Sequence, residues 1–318
     1  MSKGENYHER DNDGRARARM DFKTEILSLN EENHVVTMRM TPEPRRYDRV
    51  ERDDQTFFLD RYLGYLISED DMNRAMKEQM SGLPLYALSP TIDSAPNYAA
   101  SRRLVIGSEL NGEPYTPPSE QAIQHREIDP QTNRKWLAFV SVDICGSSAL
   151  RRSNPSEFEQ VYAIFLRELG TVVGQFHGAL LKTTGDGFIA YIDHPAFTRQ
   201  SDNIVDLGLS FLVVVRVSIN PALSEVGLPN LSIRVGADCG YADVRQITIP
   251  TTGYSDLDIA SDALNRAVKI EQGADVNEFR IGRGLYELLH IDWLERAEEV
   301  EFDGTEVGIP DYKTYRMR

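Results

Sequence analysis

From residue 136 onward, apolar positions alternate between two periods. A near-continuous apolar run over 136–142 has the length and composition of a buried strand, and it ends at Asp143 and Gly146. Asn154 and Pro155 then supply an N-cap and a first-turn proline. Phe158, Val161, Tyr162, Phe165, Leu166, Leu169, Val173 and Phe176 follow mostly at spacings of three and four, one stripe that faces a sheet. His177 and Gly178 close that helix with a cation at its C-terminal dipole and a residue tolerant of the left-handed region. Strands are predicted over 179–184 and 188–192, joined as a hairpin at Gly185, Asp186 and Gly187. A second apolar helix spans 202–219 and stops at Asn220-Pro221. Leu231, Ile233 and Val235 alternate as a half-buried strand, with 241–249 as its hairpin partner after Gly240. Helices over 261–272 and 284–289 and a strand over 311–318 complete this half.

The first 135 residues are less regular. Residues 1–20 are charged, with almost nothing to bury, and read as a disordered tail. Residues 35–40 read as an edge strand. A helix is predicted over 55–80, with Phe58, Leu59, Tyr62, Leu63 and Leu66 on one face, then Met72, Met76 and Met80 at four-residue spacing. That methionine stripe reads as a core or partner-helix face. Prolines and glycines scattered over 81–135 mark an irregular connector with one short strand over 103–107. The chain therefore divides into a tail (1–20), an N-terminal region without a legible function (21–130) and a regular α+β domain (131–318). The β-α-β-β-α-β order of that domain is the ferredoxin-like pattern, an antiparallel sheet with a helix layer on one face.

Composition narrows the function. The 318 residues are 41% hydrophobic and 27% charged, enough to bury a sizeable core. A formal net charge of -15 argues against nucleic acid as a partner. The two cysteines, Cys145 and Cys239, make no disulfide framework, suit a reducing compartment and read as small buried thiols. The six histidines show no zinc-ligand spacing. The opening residues are too polar for a signal peptide, and the longest apolar run, 207–215, falls short of the about 20 residues a bilayer requires. A cytoplasmic protein without a membrane partner is expected.

Asp143 and Asp186 carry the first chemical signal. Alone, either reads as a turn residue. Together, at the tips of neighbouring strands, they make a bed for a hard divalent cation, with the Ile144 carbonyl as a third oxygen. No Ser-His or Cys-His arrangement points to a protein nucleophile. Arg151 and Arg152 read as solvated, though either could reach a phosphate.

Four segments in order resemble the class III nucleotide cyclases, the adenylate/guanylate cyclase catalytic domains, over about 136–290. Val142-Asp143-Ile144-Cys145-Gly146-Ser147-Ser148 is similar to their Phe-x-Asp-Ile-x-Gly segment, and Lys182-Thr183-Thr184-Gly185-Asp186 to their Lys-Thr-Ile-Gly-Asp segment. Ile233-Arg234-Val235-Gly236-Ala237-Asp238-Cys239-Gly240 matches their Arg-x-Gly strand-turn, and Asp258-Ile259 begins seven residues before Asn265. The resemblance implies that Asp143, Asp186 and the Ile144 carbonyl hold two divalent ions per site, magnesium or manganese. It implies that Lys182 and Asp258 read the base and that Asn265 orients the ribose. Where the family usually places an arginine on the transition-state phosphate, this chain has Lys269, which keeps the charge but loses the bidentate fork. Arg245 is the candidate for the triphosphate, against a plain reading as a solvated strand residue.

The implied reaction converts a nucleoside triphosphate, nominally ATP, to a 3′,5′-cyclic nucleotide and pyrophosphate. It takes place in a head-to-tail homodimer with composite sites, and a cyclic-nucleotide-activated effector would lie downstream. Two alternatives stand beside it: a pyrimidine cyclase making cUMP or cCMP in bacterial antiviral defence, and a catalytically inactive dimerisation or nucleotide-binding module. A ferredoxin-like RNA-binding module is disfavoured by the acidic balance.

Overall fold

The computed structural model describes residues 17–30, 35–81, 89–118, 128, 134–194 and 196–318. Strands β1 (Phe22–Asn30) and β2 (Val35–Pro42) pair as an antiparallel hairpin. Strands β3 (Tyr47–Arg52), β4 (Gln55–Asp60) and β5 (Leu66–Ser68) form an antiparallel three-stranded sheet, followed by helices α1 (Glu69–Ser81) and α2 (Ala95–Leu110).

Two expectations fail in this region. Residues 55–60 and 66–68 are strands joined by a turn, and helix begins only at Glu69. Arg52 pairs with Gln55 across a two-residue turn in which Asp53 and Asp54 both take positive φ, 49° and 58°. Aspartate tolerates that region, and two such residues in succession make the tight hairpin turn whose twist suits antiparallel strands. The aromatic pair Phe57-Phe58 then extends as a strand, where packing overrides the helical spacing. The strand expected over 103–107 lies inside α2. Ser94 caps that helix and Ala99, Arg102 and Ile106 form its buried stripe, while Leu104 is 75% exposed. The tail expected over 1–20 is only partly testable, since 1–16 lie outside the described residues. Residues 17–21 are anchored. Arg19 Nη1 pairs with Asp202 at 2.9 Å, and Asp21 meets the wholly buried Arg46 at 2.8 Å. Arg46 also pairs with Asp60 at 2.7 Å and donates to the Leu289 carbonyl at 3.3 Å, while Asp21 accepts from the Ile291 amide at 3.0 Å, so this buried cluster is hydrogen-bonded to the C-terminal part of the chain.

The larger sheet is built around β6 (Arg134–Ile144). After it come α3 (Ser147–Ser153), α4 (Pro155–Gln175), β7 (Gly178–Thr183), β8 (Gly187–Ile192) and α5 (Phe197–Val214). A π turn (Val215–Ile219) leads into α6 (Asn220–Glu225), then β9 (Ile233–Ile249), β10 (Tyr254–Ala260), α7 (Asp262–Gln272) and β11 (Glu278–Gly282). Short helices α8 (Arg283–Tyr286) and α9 (Ile291–Leu294) precede β12 (Ala297–Val300) and β13 (Thr314–Met317). Among the described residues the strand order is β12-β13-β11-β9-β6-β8-β7, with β10 on β9. The pairings are antiparallel except β9 with β11. One face carries α4 and α5 over Ala138, Val140 and Val142. The other carries α7 over Leu137 and Phe139.

The helix expected to stop at Asn220-Pro221 runs on to Glu225. Pro221 sits in the first turn of α6, where a missing N–H costs nothing, after the π turn has loosened the preceding ladder. The span 197–225 is long and apolar enough to cross a membrane, but Ile204, Leu207, Phe211 and Val214 are fully buried against the sheet. The hairpin expected after Gly240 is also absent, because β9 is one strand of 17 residues. Its glycines answer to α7 instead of a turn. A Cβ on Gly236 would collide with the backbone of Ala267 and Glu271, and one on Gly240 would lie 2.9 Å from Ala263 Cβ. The helix rests directly on that bare lane. Between the two glycines, buried Asp238 accepts hydrogen bonds from Arg266 Nε, Tyr312 Oη (2.6 Å) and Leu285 N (3.1 Å), which fixes the height of α7 on the sheet.

Candidate active site

The β6–β8 register sets Asp143 opposite Gly187, so the end of β6 and the turn carrying Asp186 lie side by side at one sheet edge. Gly185 takes φ +99° in that turn, and a Cβ on Gly187 would overlap the Val142 carbonyl. Asp186 accepts a hydrogen bond from Ser147 Oγ at the start of α3. Arg151 Nη2 donates to the Gly185 carbonyl at 3.0 Å and so holds the turn.

Arg234, opposite Asp143 in the β6–β9 register, donates from Nη2 to Asp143 Oδ2 at 3.0 Å. Its Nε stands 3.5 Å from Glu271 Oε1, and neither of those buried atoms makes a hydrogen bond. Ser141 Oγ donates to the other Glu271 oxygen at 3.4 Å. Burial pushes the Asp143 carboxyl above the usual aspartate range, and the neighbouring Asp186 charge adds to this against the Arg234 hydrogen bond. Burial, then the Asp143 charge, pushes Glu271 from 4.5 up to about 7.

The residues fit a divalent cation in a specific way. Asp143 and Asp186 crowd two carboxylates where negative charge is poorly solvated, and Ile144, with its side chain in the core, has only a backbone carbonyl to offer. Among the described residues no group of three or more His, Cys, Asp or Glu side chains could hold a metal. A hard cation there would take most of its oxygens from backbone, water and substrate, as magnesium commonly does.

Glu271 gives a pH prediction. Its folded pKa is raised, so folded protein keeps a proton that the unfolded chain releases between 4.5 and about 7, and stability falls as pH rises through that window. Glu271→Gln abolishes that contribution. In metal-free buffer the drop in urea-unfolding free energy from about pH 5 to about pH 8 is expected to shrink by about 1–2 kcal/mol. An unchanged slope would show that Glu271 titrates normally.

A separate groove of about 570 Å³ is lined by Lys182, Tyr241, Asp256, Asp258 and Asn265, among others. A bulge between Leu180 and Lys182 re-aims the end of β7. Asp258 stands opposite Arg245 in the β9–β10 register, and the two pair at 2.8 Å. Arg245 is thus an exposed strand residue with a carboxylate partner. Asn265 lies on the first half of α7. One turn further, Lys269 pairs with Glu306 at 3.3 Å and does not line the groove. The structure therefore gathers Lys182, Asp258 and Asn265 in one place and Asp143, Ile144 and Asp186 in another. Neither Asp143 nor Asp186 lines the groove.

Sequence reasoning missed Arg234, Glu271 and Ser147. Arg234 and Ser147 lay within the quoted segments, but their roles depend on strand register and on the placement of α3. Glu271 carried no local signal at all.

Residues 133–316, more than half of the chain, match the model of the adenylate and guanylate cyclase catalytic domain. The cytidylate cyclase of Escherichia coli is 23% identical over 211 residues, 61% of this chain and 40% of that protein. The chain thus spans well under half the length of that relative. In fold it is similar to the adenylyl cyclase CyaB from P. aeruginosa (TM-score 0.51, 19% identity, 58% of this chain and 94% of that one). The guanylyl cyclase Cya2 is similar to the same degree (TM-score 0.50, 18% identity, 58% and 92%). With residues 133–316 matched, the chain belongs to the adenylate and guanylate cyclase catalytic domain family.

Proposed function

We propose that this cyclase acts on a nucleoside triphosphate whose base bears an exocyclic amine, CTP first and ATP second, and forms the 3′,5′-cyclic nucleotide and pyrophosphate. The observation that carries the reading is the groove in which Lys182 and Asp258 stand together with Asn265. An ammonium donor and a carboxylate acceptor lining one groove complement an edge with an amine next to a bare ring nitrogen, which cytosine and adenine share. Uracil and guanine present the reverse order, a carbonyl next to an N–H. The cytidylate cyclase relative favours cytosine over the adenine that the sequence alone nominated.

Asp143, Asp186 and the Ile144 carbonyl would hold the divalent ions, magnesium or manganese, which when bound acidify the 3′-hydroxyl and neutralise phosphate charge. Arg234 contributes a fixed positive charge beside the pair, and Lys269, which here pairs with Glu306, would offer the substrate's phosphates a point charge without a fork. The separation of the carboxylate pair from the groove supports a homodimer in which the pair of one protomer faces the groove of its partner.

The test is incubation of purified protein with manganese and each of ATP, GTP, CTP and UTP, with products identified by mass. Cyclic CMP as the main product, with cyclic AMP next, is expected. Cyclic UMP or cyclic GMP as the main product would sink the base assignment, and no product from any of the four would sink the reaction.

A further inference from the structure

We infer that Arg17, which lies outside the stretch matched by the family, is a positioning residue for the nucleotide groove. The inference rests on the groove reading above. The segment 17–21 crosses the domain with alternate side chains turned into it. Arg19 reaches Asp202 and the Leu288 carbonyl (3.2 Å), and Asp21 reaches Arg46 and the Ile291 amide (3.0 Å). Two anchors in succession fix where the backbone of Arg17 runs.

The Arg17 guanidinium sits among three rings, 4.8 Å from the centroid of Trp136, 5.2 Å from Phe197 and 5.7 Å from Tyr241. Its buried Nε makes no hydrogen bond, so at that atom the contacts are with ring faces and not with a carboxylate. A weakly hydrated planar cation is suited to such a place. Trp136 and Tyr241 meet edge to face at 5.0 Å, and Arg134 lies over Tyr241 at 4.6 Å.

Tyr241 and Arg134 both line the groove with Lys182 and Asp258. One part of the groove wall is therefore a ring in contact with both Arg17 and Arg134. The same groove is lined by Asp243, Asp256, Asp258 and Asp262, an acidic setting for a nucleotide that carries a triphosphate. The two arginines offset that charge and hold the ring still. Arg17 touches neither the base nor the phosphates. Its effect is on the affinity of the groove, through Tyr241.

The experiment compares Arg17→Met, Arg17→Lys and Lys182→Ala by steady-state kinetics on the preferred triphosphate. Arg17→Met is expected to raise KM about tenfold with kcat within about threefold, and Arg17→Lys, which keeps a cation on the rings, to recover most of the loss. A variant that merely misfolds loses kcat through loss of active protein and leaves KM alone, and that result overturns the inference. Raised KM for Lys182→Ala with unchanged KM for Arg17→Met overturns it while the groove reading stands. Unchanged KM for both overturns the two together. As a readout apart from activity, Arg17→Met should shift the tryptophan emission of the folded protein and Arg17→Lys should restore it.

Discussion

Asp143→Asn is expected to lower cyclisation by roughly a thousandfold or more while leaving the folded protein intact. The substitution keeps the shape of the side chain and removes the charge. In the free protein that charge is an electrostatic burden, since burial and Asp186 both favour the protonated acid over the carboxylate. A group whose folded pKa is raised loses stability as pH climbs through that value, so the neutral amide removes a cost at neutral pH. The Arg234 hydrogen bond is weakened in exchange, but Arg234 has Glu271 at 3.5 Å as a second carboxylate. The expected melting temperature of metal-free Asp143→Asn is therefore equal to that of the unaltered protein or higher. Manganese should raise the melting temperature of the unaltered protein and not that of the variant, because only the former holds the carboxylate pair. Retention of a tenth of the activity, or an equal manganese shift in both proteins, would remove Asp143 from the metal site. The general point is that crowded charge at a functional edge is held by surrounding structure, not for stability.

How far the sequence disclosed this site depends on how local each signal was. Asp143 and Asp186 were legible because an apolar run ending in a carboxylate and a Gly-Asp-Gly turn are both short-range patterns. The helix α4 was legible for the same reason, through its cap and period. Lys182, Asp258 and Asn265 were assigned by resemblance, and the groove that gathers them exists only once β10 folds back along β9. The Arg234–Glu271 pair could not be seen, since it joins a strand to the end of a helix 37 positions later through the packing of α7 on β9. The errors have the same origin. Phe58, Leu59, Tyr62 and Leu63 fit a helical face, but the left-handed pair Asp53-Asp54 commits the chain to a hairpin before that face can form. Gly240 looked like a turn because glycine permits one, yet what requires it there is the close approach of α7. In the N-terminal part, Arg17 and Arg19 fell in the expected charged tail, and Asp21 and Arg46 in the region without a legible function. The partners of Arg17 and Arg19, the rings of Trp136 and Phe197 and the carboxylate of Asp202, lie more than a hundred residues away.

Asp143→Asn and Asn265→Ala, each nearly inactive alone, are expected to recover about a quarter of the unaltered activity when allowed to exchange subunits in equal amounts. In a head-to-tail dimer each site takes its carboxylate pair from one protomer and its groove from the other. Either variant by itself carries its lesion in both sites. In a mixed dimer the two lesions fall together in one site, and the other site is whole. Random exchange makes about half of the dimers mixed, each with one of two sites intact, hence about a quarter. A site contained within one chain allows no recovery at any mixing ratio, since every chain carries a lesion. Asn265→Ala mixed with Lys182→Ala serves as the control. Both lesions fall in the groove, so composite sites predict no recovery for that pair. The recovered activity should also fall on dilution as dimers part, whereas a self-sufficient protomer would keep its rate per chain. Recovery confined to the first pair would tie the separation of Asp143 and Asp186 from the groove directly to the way the site is assembled.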